Sequence, residues 1–120
     1  MEVYIKGDTI AERLLVFAAH VLQILSHLDK SAQSTHVAKQ LTRAATAGGA
    51  NYEEARGAES RADFVHKVKV SCKEIREAAY WLRLIRQANL ASNLDLTAAI
   101  TEAHQLTAIL SASAKTAKSR

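Results

Sequence analysis

The sequence contains no proline, only four glycines and a single cysteine among its 120 residues. Because proline and glycine most often interrupt helices, their scarcity predicts long helices joined by short turns. A single cysteine excludes an internal disulfide and favours a reducing compartment, so we expect a cytoplasmic protein. No apolar run is long enough to cross a bilayer, and residues 1–10 carry no basic-then-apolar signal segment. We therefore expect no membrane partner.

The length and charge of the chain set further bounds. A chain of this size fits one domain, residues 1–120, and can bury about two-thirds of the surface of its unfolded state. The 16 lysines and arginines exceed the 12 acidic residues, which gives a net charge of +4 and a pI near 9.4. Such an excess permits contact with nucleic acid without demanding it.

Hydrophobic periodicity predicts four helices. Apolar residues recur every three or four positions in segments at about residues 8–28, 34–56, 61–88 and 95–112. The residues suited to cap or end these helices are Asp8, Ser34, Gly57, Ser60 and Asp95. The residues after Leu110 have little to bury, which predicts a frayed C-terminal tail. Short connections between four helices predict an all-α, antiparallel up-down-up-down four-helix bundle.

One face of the third helix combines cations with an aromatic ring. Its residues follow one another at steps of four, three, four and three: Lys69, Lys73, Arg76, Tyr80 and Arg83. Cations can follow a phosphate backbone and a flat ring can stack on a base, so this face is a candidate surface for RNA or DNA. The alternative is a solvated helix flank, with Glu74 and Glu77 supplying countercharge.

A second face of the third helix carries apolar residues outside the main seam, namely Val70, Trp81 and Leu84. Trp is favoured at the centre of protein interfaces, so these residues are a candidate subunit interface. Periodicity alone leaves open the alternative that Trp81 packs against a helix end of its own chain.

One stripe of the second helix carries polar residues, Arg43, Asn51 and Glu54, which we add to the candidate interface. Arg43 and Glu54 are about 16 Å apart along a helix axis and cannot pair with each other. Each is expected to meet a group on a neighbouring helix or subunit, while Asn51 could also bind the polar edge of a ligand.

A Gly48–Gly49 pair lies in the middle of the same helix. Relative to two alanines, the pair should cost about 2 kcal/mol of stability. Close approach of another helix is the favoured explanation, and a kink or a bound partner's backbone are the alternatives.

The chain shows no motif for metal binding or catalysis. His20 and His27 are about 10.5 Å apart along a helix, too far to share one ion. The other histidines lack a ligand-type partner three or four residues away, and no nucleophile elbow or phosphate-binding glycine loop is present. We therefore expect no metal, no cofactor, no small-molecule substrate and no enzymatic activity.

The second and third helices resemble a known family. Residues 40–55 read QLTRAATAGGANYEEA, and residues 59–84 read ESRADFVHKVKVSCKEIREAAYWLRL. This pattern is similar to that of the four-helix-bundle proteins named for open reading frames in intervening sequences of bacterial large-subunit ribosomal RNA. The matching positions are Gln40, Leu41, Arg43, Ala44, Ala45, Gly49, Ala50, Asn51, Glu54, Asp63, Phe64, Lys73, Glu74, Tyr80, Trp81 and Leu82.

This resemblance covers the middle third of the chain and implies more than the fold. Members of the family look like homo-oligomers, typically pentameric rings. A related branch, the accessory variability proteins of diversity-generating retroelements, partners a reverse transcriptase and nucleic acid. Ala47–Gly48 stands where many members carry Ser-Ile, so local packing there is expected to differ.

The sequence thus predicts a non-catalytic, oligomeric assembly or adaptor protein, with RNA, DNA or a nucleic-acid enzyme such as a reverse transcriptase as its partner. A purely structural, self-associating bundle without a nucleic-acid role is the alternative. An enzyme with a site between subunits is the third hypothesis.

Overall fold

Four α-helices account for most of residues 6–120, the part of the chain that the computed structural model describes. They are α1 (Gly7–Leu25), α2 (Ala32–Arg56), α3 (Arg61–Gln87) and α4 (Thr97–Ser119). Helices α1 and α2, α2 and α3, α3 and α4, and α4 and α1 are in contact, whereas α2 and α4 lie diagonally across the bundle. Short turns join consecutive helices, which confirms the all-α up-down-up-down bundle. The prediction that residues 1–10 carry no signal segment falls partly on residues 1–5, which lie outside the described residues.

The predicted apolar seams form the core of the bundle. The largest fully enclosed apolar side chains come from all four helices: Leu14, Phe17, Val21, Leu41, Val68, Ile75, Leu82, Ile85, Leu106 and Leu110. Every described helix contributes because each has one stripe of apolar residues at a spacing of three and four. Phe64 and Val65, near the start of α3, are both half-buried.

Two predicted helix boundaries are confirmed and one is shifted by a single residue. Helix α3 begins after Ser60, whose hydroxyl accepts a hydrogen bond from the backbone N–H of Asp63 at 3.0 Å. Gly57 follows the last residue of α2 as its C-cap. Helix α1 begins at Gly7, so Asp8 lies in its first turn rather than before it.

The start of α2 differs from the prediction. Ser31, not Ser34, caps this helix, and its hydroxyl accepts a hydrogen bond from the backbone N–H of Ser34 at 3.1 Å. The hydroxyl of Ser34 instead donates to a carboxylate oxygen of Asp29 at 2.6 Å. The two serines compete for the same role, and the one that precedes the helix takes it because its backbone is extended.

Helix α4 differs from the prediction at both ends. It begins at Thr97, whose backbone N–H donates to Asp95 at 2.9 Å, and it continues to Ser119 instead of ending near residue 112. Ala114 is only 3% exposed because it continues the seam one turn beyond Leu110. Alanine is the strongest helix former, so this alanine-rich segment stays helical although it lacks large apolar side chains. The predicted frayed tail is wrong.

The glycine pair in α2 has one tightly packed member. The hydroxyl of Ser71 on α3 donates to the carbonyl oxygen of Gly48 at 2.6 Å, and a Cβ atom at Gly48 would lie 2.2 Å from Cδ1 of Ile75. At Gly49 a Cβ atom would be 3.6 Å from Cβ of Leu14, an ordinary contact. Close approach of α2 and α3 therefore explains Gly48, as predicted, but it does not explain Gly49.

An ion pair spans the contact between α1 and α4. The guanidinium of Arg13 donates to both carboxylate oxygens of Glu102, at 2.6 and 3.1 Å, and to the side-chain oxygen of Gln105 at 3.1 Å. The hydrogen bond to Glu102 raises the pKa of Arg13 above its ordinary value. This two-pronged pair fixes the first helix against the last one, and so closes the bundle.

Candidate nucleic-acid interface

The predicted basic face of α3 is exposed along its whole length. All five of its side chains are accessible to solvent: Lys69, Lys73, Arg76, Tyr80 and Arg83. From the first to the last, these residues span about 21 Å of the helix. Tyr80 is 55% exposed, so its ring is accessible on the same face as the cations.

Helix α4 supplies a second basic wall that sequence reasoning missed. An open groove of about 360 Å³ runs between α3 and the C-terminal half of α4. It is lined by Lys69, Cys72, Lys73, Arg76, Ser111, Ala114, Lys115 and Lys118. Five of these eight residues are cations, three from α3 and two from α4. The step of four from Leu106 to Leu110 to Ala114 was the signal that could have placed Lys115 and Lys118 on a helix.

The cations of this groove have no acidic partner among the described residues. The ion pairs of this part of the chain are Arg13–Glu102, Arg43–Glu74, Arg43–Glu77, Arg56–Glu53 and Lys67–Glu54, and all of them lie outside the groove. Like charges without countercharge raise the local potential and attract anions. The electrostatic potential of the groove is therefore positive and favours anions.

The acidic residues of α3 point to α2 instead. Glu74 accepts a hydrogen bond from Arg43 at 2.8 Å, and Glu77 pairs with the same guanidinium. The carboxylates that could neutralise the basic face, those of Glu74 and Glu77, are thus paired with Arg43 of α2. This arrangement disfavours the alternative that the basic face is only a solvated helix flank.

Small side chains form the floor of the groove. Cys72 is only 8% exposed, and its thiol donates to the backbone carbonyl oxygen of Thr107 on α4 at 3.4 Å. Burial raises the pKa of this thiol, an effect that the positive charge of Arg76 partly offsets. Cys72 is thus held as a neutral thiol, while Ser111 and Ala114 leave open space between the longer cationic arms.

Trp81 has partners in its own chain. Its indole N–H donates to Glu77 at 2.9 Å, and its ring meets His36 of α2 edge to face at a centroid distance of 6.0 Å. The ring of Tyr80 also meets Trp81 edge to face, at 5.0 Å. Leu84 and Trp81 are partly buried against the core. Trp81 thus packs within its own chain, and the intersubunit role of Val70, Trp81 and Leu84 stays a prediction.

The polar stripe of α2 is also engaged within the chain. Arg43 binds two carboxylates of α3, and Glu54 pairs with Lys67 of α3 at 3.2 Å. Each therefore meets a neighbouring helix. The side-chain amide of Asn51 donates to the carbonyl oxygen of Ala47, one turn earlier, at 2.8 Å. Their role in a subunit interface stays a prediction.

The outer face of α1 exposes large apolar side chains that the sequence analysis did not single out. Leu15 is 63% exposed, Val16 58% and Leu22 47%. Residues 14–25 contain no Asp, Glu, Lys or Arg. The sequence did indicate this face, because these three apolar residues lie outside the buried stripe of α1.

The described part of the chain offers neither a cluster of metal ligands nor a helix suited to span a membrane. Within residues 6–120, no three His, Cys, Asp or Glu side chains come together in a way that could hold a metal ion. None of the helices there combines the length and the apolar character needed to cross a membrane.

Comparison with known proteins extends the similarity beyond the central helices. A family model described as 23S rRNA-intervening sequence protein matches residues 9–112. The crystal structure of a protein of unknown function from the S23 ribosomal protein family of Bacteroides thetaiotaomicron VPI-5482 is similar, with a TM-score of 0.83 and 27% sequence identity. That similarity covers 92% of this chain and 99% of the other. No curated protein matches the chain. The match therefore includes α1 and most of α4.

Proposed function

The chain belongs to the 23S rRNA-intervening sequence protein family, and for this member we propose a non-catalytic assembly or adaptor role in which the groove between α3 and α4 binds nucleic acid. A nucleic-acid enzyme, such as the reverse transcriptase that partners the related accessory variability proteins, is the protein partner that this role implies.

The observation that carries the proposal is the set of five cations that line one groove without an acidic partner. Binding of phosphates to lysine and arginine releases condensed counterions from the nucleic acid, which drives association at low salt. A groove lined from two helices presents more cations to one backbone than a single helix face can.

The lining of the groove also favours binding over catalysis. Its nucleophile-type groups are the hydroxyl of Ser111 and the thiol of Cys72. No histidine or carboxylate among the lining residues could accept a proton from either of them. The thiol is further deactivated because burial raises its pKa.

The test measures binding of labelled RNA and DNA by fluorescence anisotropy between about 50 and 200 mM salt. The variant Lys73→Gln/Arg76→Gln should bind all sequences more weakly. If both side chains contact phosphates, the slope of log affinity against log salt should fall by about 1.4 to 1.8. The matched control is Lys30→Gln/Arg56→Gln, which removes one lysine from the turn before α2 and one arginine from its last residue; α2 lies diagonally opposite α4.

Equal losses in the groove variant and in the control variant would mean that net charge alone drives binding. Absence of binding by the wild-type protein at low salt would remove the nucleic-acid role altogether. The alternative, a self-associating bundle without a nucleic-acid role, would then be the favoured function.

That alternative is favoured by the exposed apolar face of α1, defined by Leu15, Val16 and Leu22. We propose that the chain self-associates, with a pentamer as the expected assembly from the resemblance. An uncharged apolar stripe of this kind is the usual mark of an interface between subunits. The same assembly could coexist with nucleic-acid binding, since the α1 face and the groove involve different residues.

Sedimentation velocity on two variants distinguishes the candidate interfaces. Leu15→Glu/Leu22→Glu should dissociate the assembly if the α1 face forms it, whereas Gln33→Glu/Thr35→Glu, on exposed polar positions of α2, should not. Trp81→Ala should weaken assembly by about 2 kcal/mol or more if this residue is an interface anchor. A monomeric wild-type protein at micromolar concentration would contradict both.

A further inference from the structure

The groove between α3 and α4 is narrow. Neighbouring packed helices have axes about 8–10 Å apart, and the contact between Cys72 and Thr107 shows that α3 and α4 touch at the floor. The major groove of a DNA duplex is by itself about 12 Å wide, so the whole duplex is much wider than the separation of two touching helices. A duplex therefore cannot enter between the two helices, whereas a single strand can lie along the groove.

Its cations stand on both sides of that channel. Lys69, Lys73 and Arg76 form one wall, and Lys115 and Lys118 form the other. A single strand that lies between the walls can bring its phosphates to both rows of cations. A duplex that rests on the rim presents one of its two backbones, and its other phosphates face away from the protein.

An aromatic ring stands directly beyond the cationic part of the groove. Tyr80 is one turn past Arg76 on the same face of α3, and Arg83 follows it. The ring is supported on one side by Trp81, which is itself held by Glu77, and it remains 55% exposed. An exposed and supported ring can stack on an unpaired base, whose faces are open.

From these observations we infer that the ligand of the groove is a single-stranded segment of RNA or DNA. Its phosphates lie between α3 and α4, and one unpaired base stacks on Tyr80. This inference rests on the proposed function and adds the class of nucleic acid and the part of α4 in contact with it. The stripe from Lys69 to Arg83, about 21 Å long, accommodates no more than about six nucleotides at the stacked spacing of 3.4 Å.

The experiment compares a six-nucleotide single strand, a longer single strand and a duplex of the same sequence, each labelled and titrated with the full chain. The wild-type protein should bind the longer strand at least about ten-fold more tightly than the duplex at equal phosphate concentration. Tyr80→Leu removes the ring and should weaken single-strand binding about five-fold or more, with less than a two-fold change on the duplex. Tyr80→Phe keeps the ring and should bind like wild type.

The α4 wall has its own variant, Lys115→Gln/Lys118→Gln. It should lower the salt slope on the single strand as Lys73→Gln/Arg76→Gln does, and circular dichroism should report unchanged helix content. If this variant behaves like the control Lys30→Gln/Arg56→Gln, the ligand lies on the α3 face only and the two-walled site is refuted.

The remaining outcomes separate this inference from the proposed function. Equal affinity of wild type for single strand and duplex, with Tyr80→Leu unchanged, would overturn the single-strand assignment and leave nucleic-acid binding intact. Absence of binding to any nucleic acid would overturn both. Binding of polyglutamate as tightly as RNA would assign the groove to acidic polypeptides instead.

Discussion

Replacing Gly48 by alanine would place a methyl group where Ile75 already lies. The new Cβ atom would be 2.2 Å from Cδ1 and 2.6 Å from Cγ1 of Ile75, whereas two carbon atoms normally approach to about 3.5–4.0 Å. Ile75 is fully buried and cannot move into solvent. Overpacking of this kind costs about 1–3 kcal/mol, and the better helix propensity of alanine returns about 1 kcal/mol. We expect Gly48→Ala to destabilise the fold by up to about 2 kcal/mol.

The neighbouring glycine is a matched control on the same helix. Gly49→Ala places its Cβ atom 3.6 Å from Cβ of Leu14, at an ordinary contact distance, so the helix-propensity gain is not offset. This variant should be more stable than wild type by about 0.5–1 kcal/mol. Adjacent and chemically identical substitutions are therefore expected to change stability in opposite directions.

Urea unfolding followed by circular dichroism measures both changes, at one fixed protein concentration because self-association would add to stability. A third variant, Gly48→Ala/Ile75→Val, removes the nearest clashing atom and should be less destabilised than the sum of the two single changes. If Gly48→Ala is as stable as Gly49→Ala, then α2 and α3 are not held at the observed separation. The packing account of Gly48 would then be refuted.

Two further predictions concern titrating groups. The buried thiol of Cys72, whose pKa is raised, should react at least about ten-fold more slowly with a disulfide reagent at pH 8 than the same chain in urea, and equal rates would contradict its burial. Hydrogen bonds from Ser31 and Ser34 lower the pKa of Asp29, so its contribution is present above the ordinary value of about 3.9 and lost as the pH falls through the lower folded pKa. Melting temperatures of wild type and Asp29→Asn should therefore differ at neutral pH and converge near about pH 2. A constant difference across that range would contradict the pairing.

The core was predictable because it is made of large apolar side chains at a regular spacing. Phe17 of α1 and Leu41 of α2 are buried, and both belong to the apolar residues that recur every three or four positions. The same reasoning failed in α4, where the last seam residue is Ala114. A buried alanine and an exposed alanine look identical in a sequence, and only the packing against α3 distinguishes them.

The candidate site was half predictable for the same reason. The α3 wall follows from the periodicity of its own helix, whereas the α4 wall lies on residues 113–119, where the scarcity of large apolar residues predicts a frayed tail. The two possible environments of Trp81 could not be separated either, because His36, which covers one side of its ring, is distant in sequence. Periodicity reports which residues share a face, and it does not report what a neighbouring helix places against that face.

Repulsion between the cations of the groove should also lower the free energy of unfolding of the protein, which can be measured. Lys73 lies four residues after Lys69 and three before Arg76, so it forms two like-charge pairs on one helix face. Glu77, four residues further on, is the one opposite charge at such a spacing, and its carboxylate is paired with Arg43. Like charges at these spacings each cost about 0.2–0.5 kcal/mol. Glutamine has a similar helix propensity to lysine, so Lys73→Gln should stabilise the protein by about 0.5 kcal/mol at low salt while it weakens nucleic-acid binding. The gain should vanish near 1 M salt, where the screening length is only about 3 Å. Thermal melts of wild type and Lys73→Gln at both salt concentrations test this. If Lys73→Gln is less stable than wild type at low salt, Lys73 has an attractive partner within the protein. The argument that the groove cations are available to bind an external anion would then be refuted.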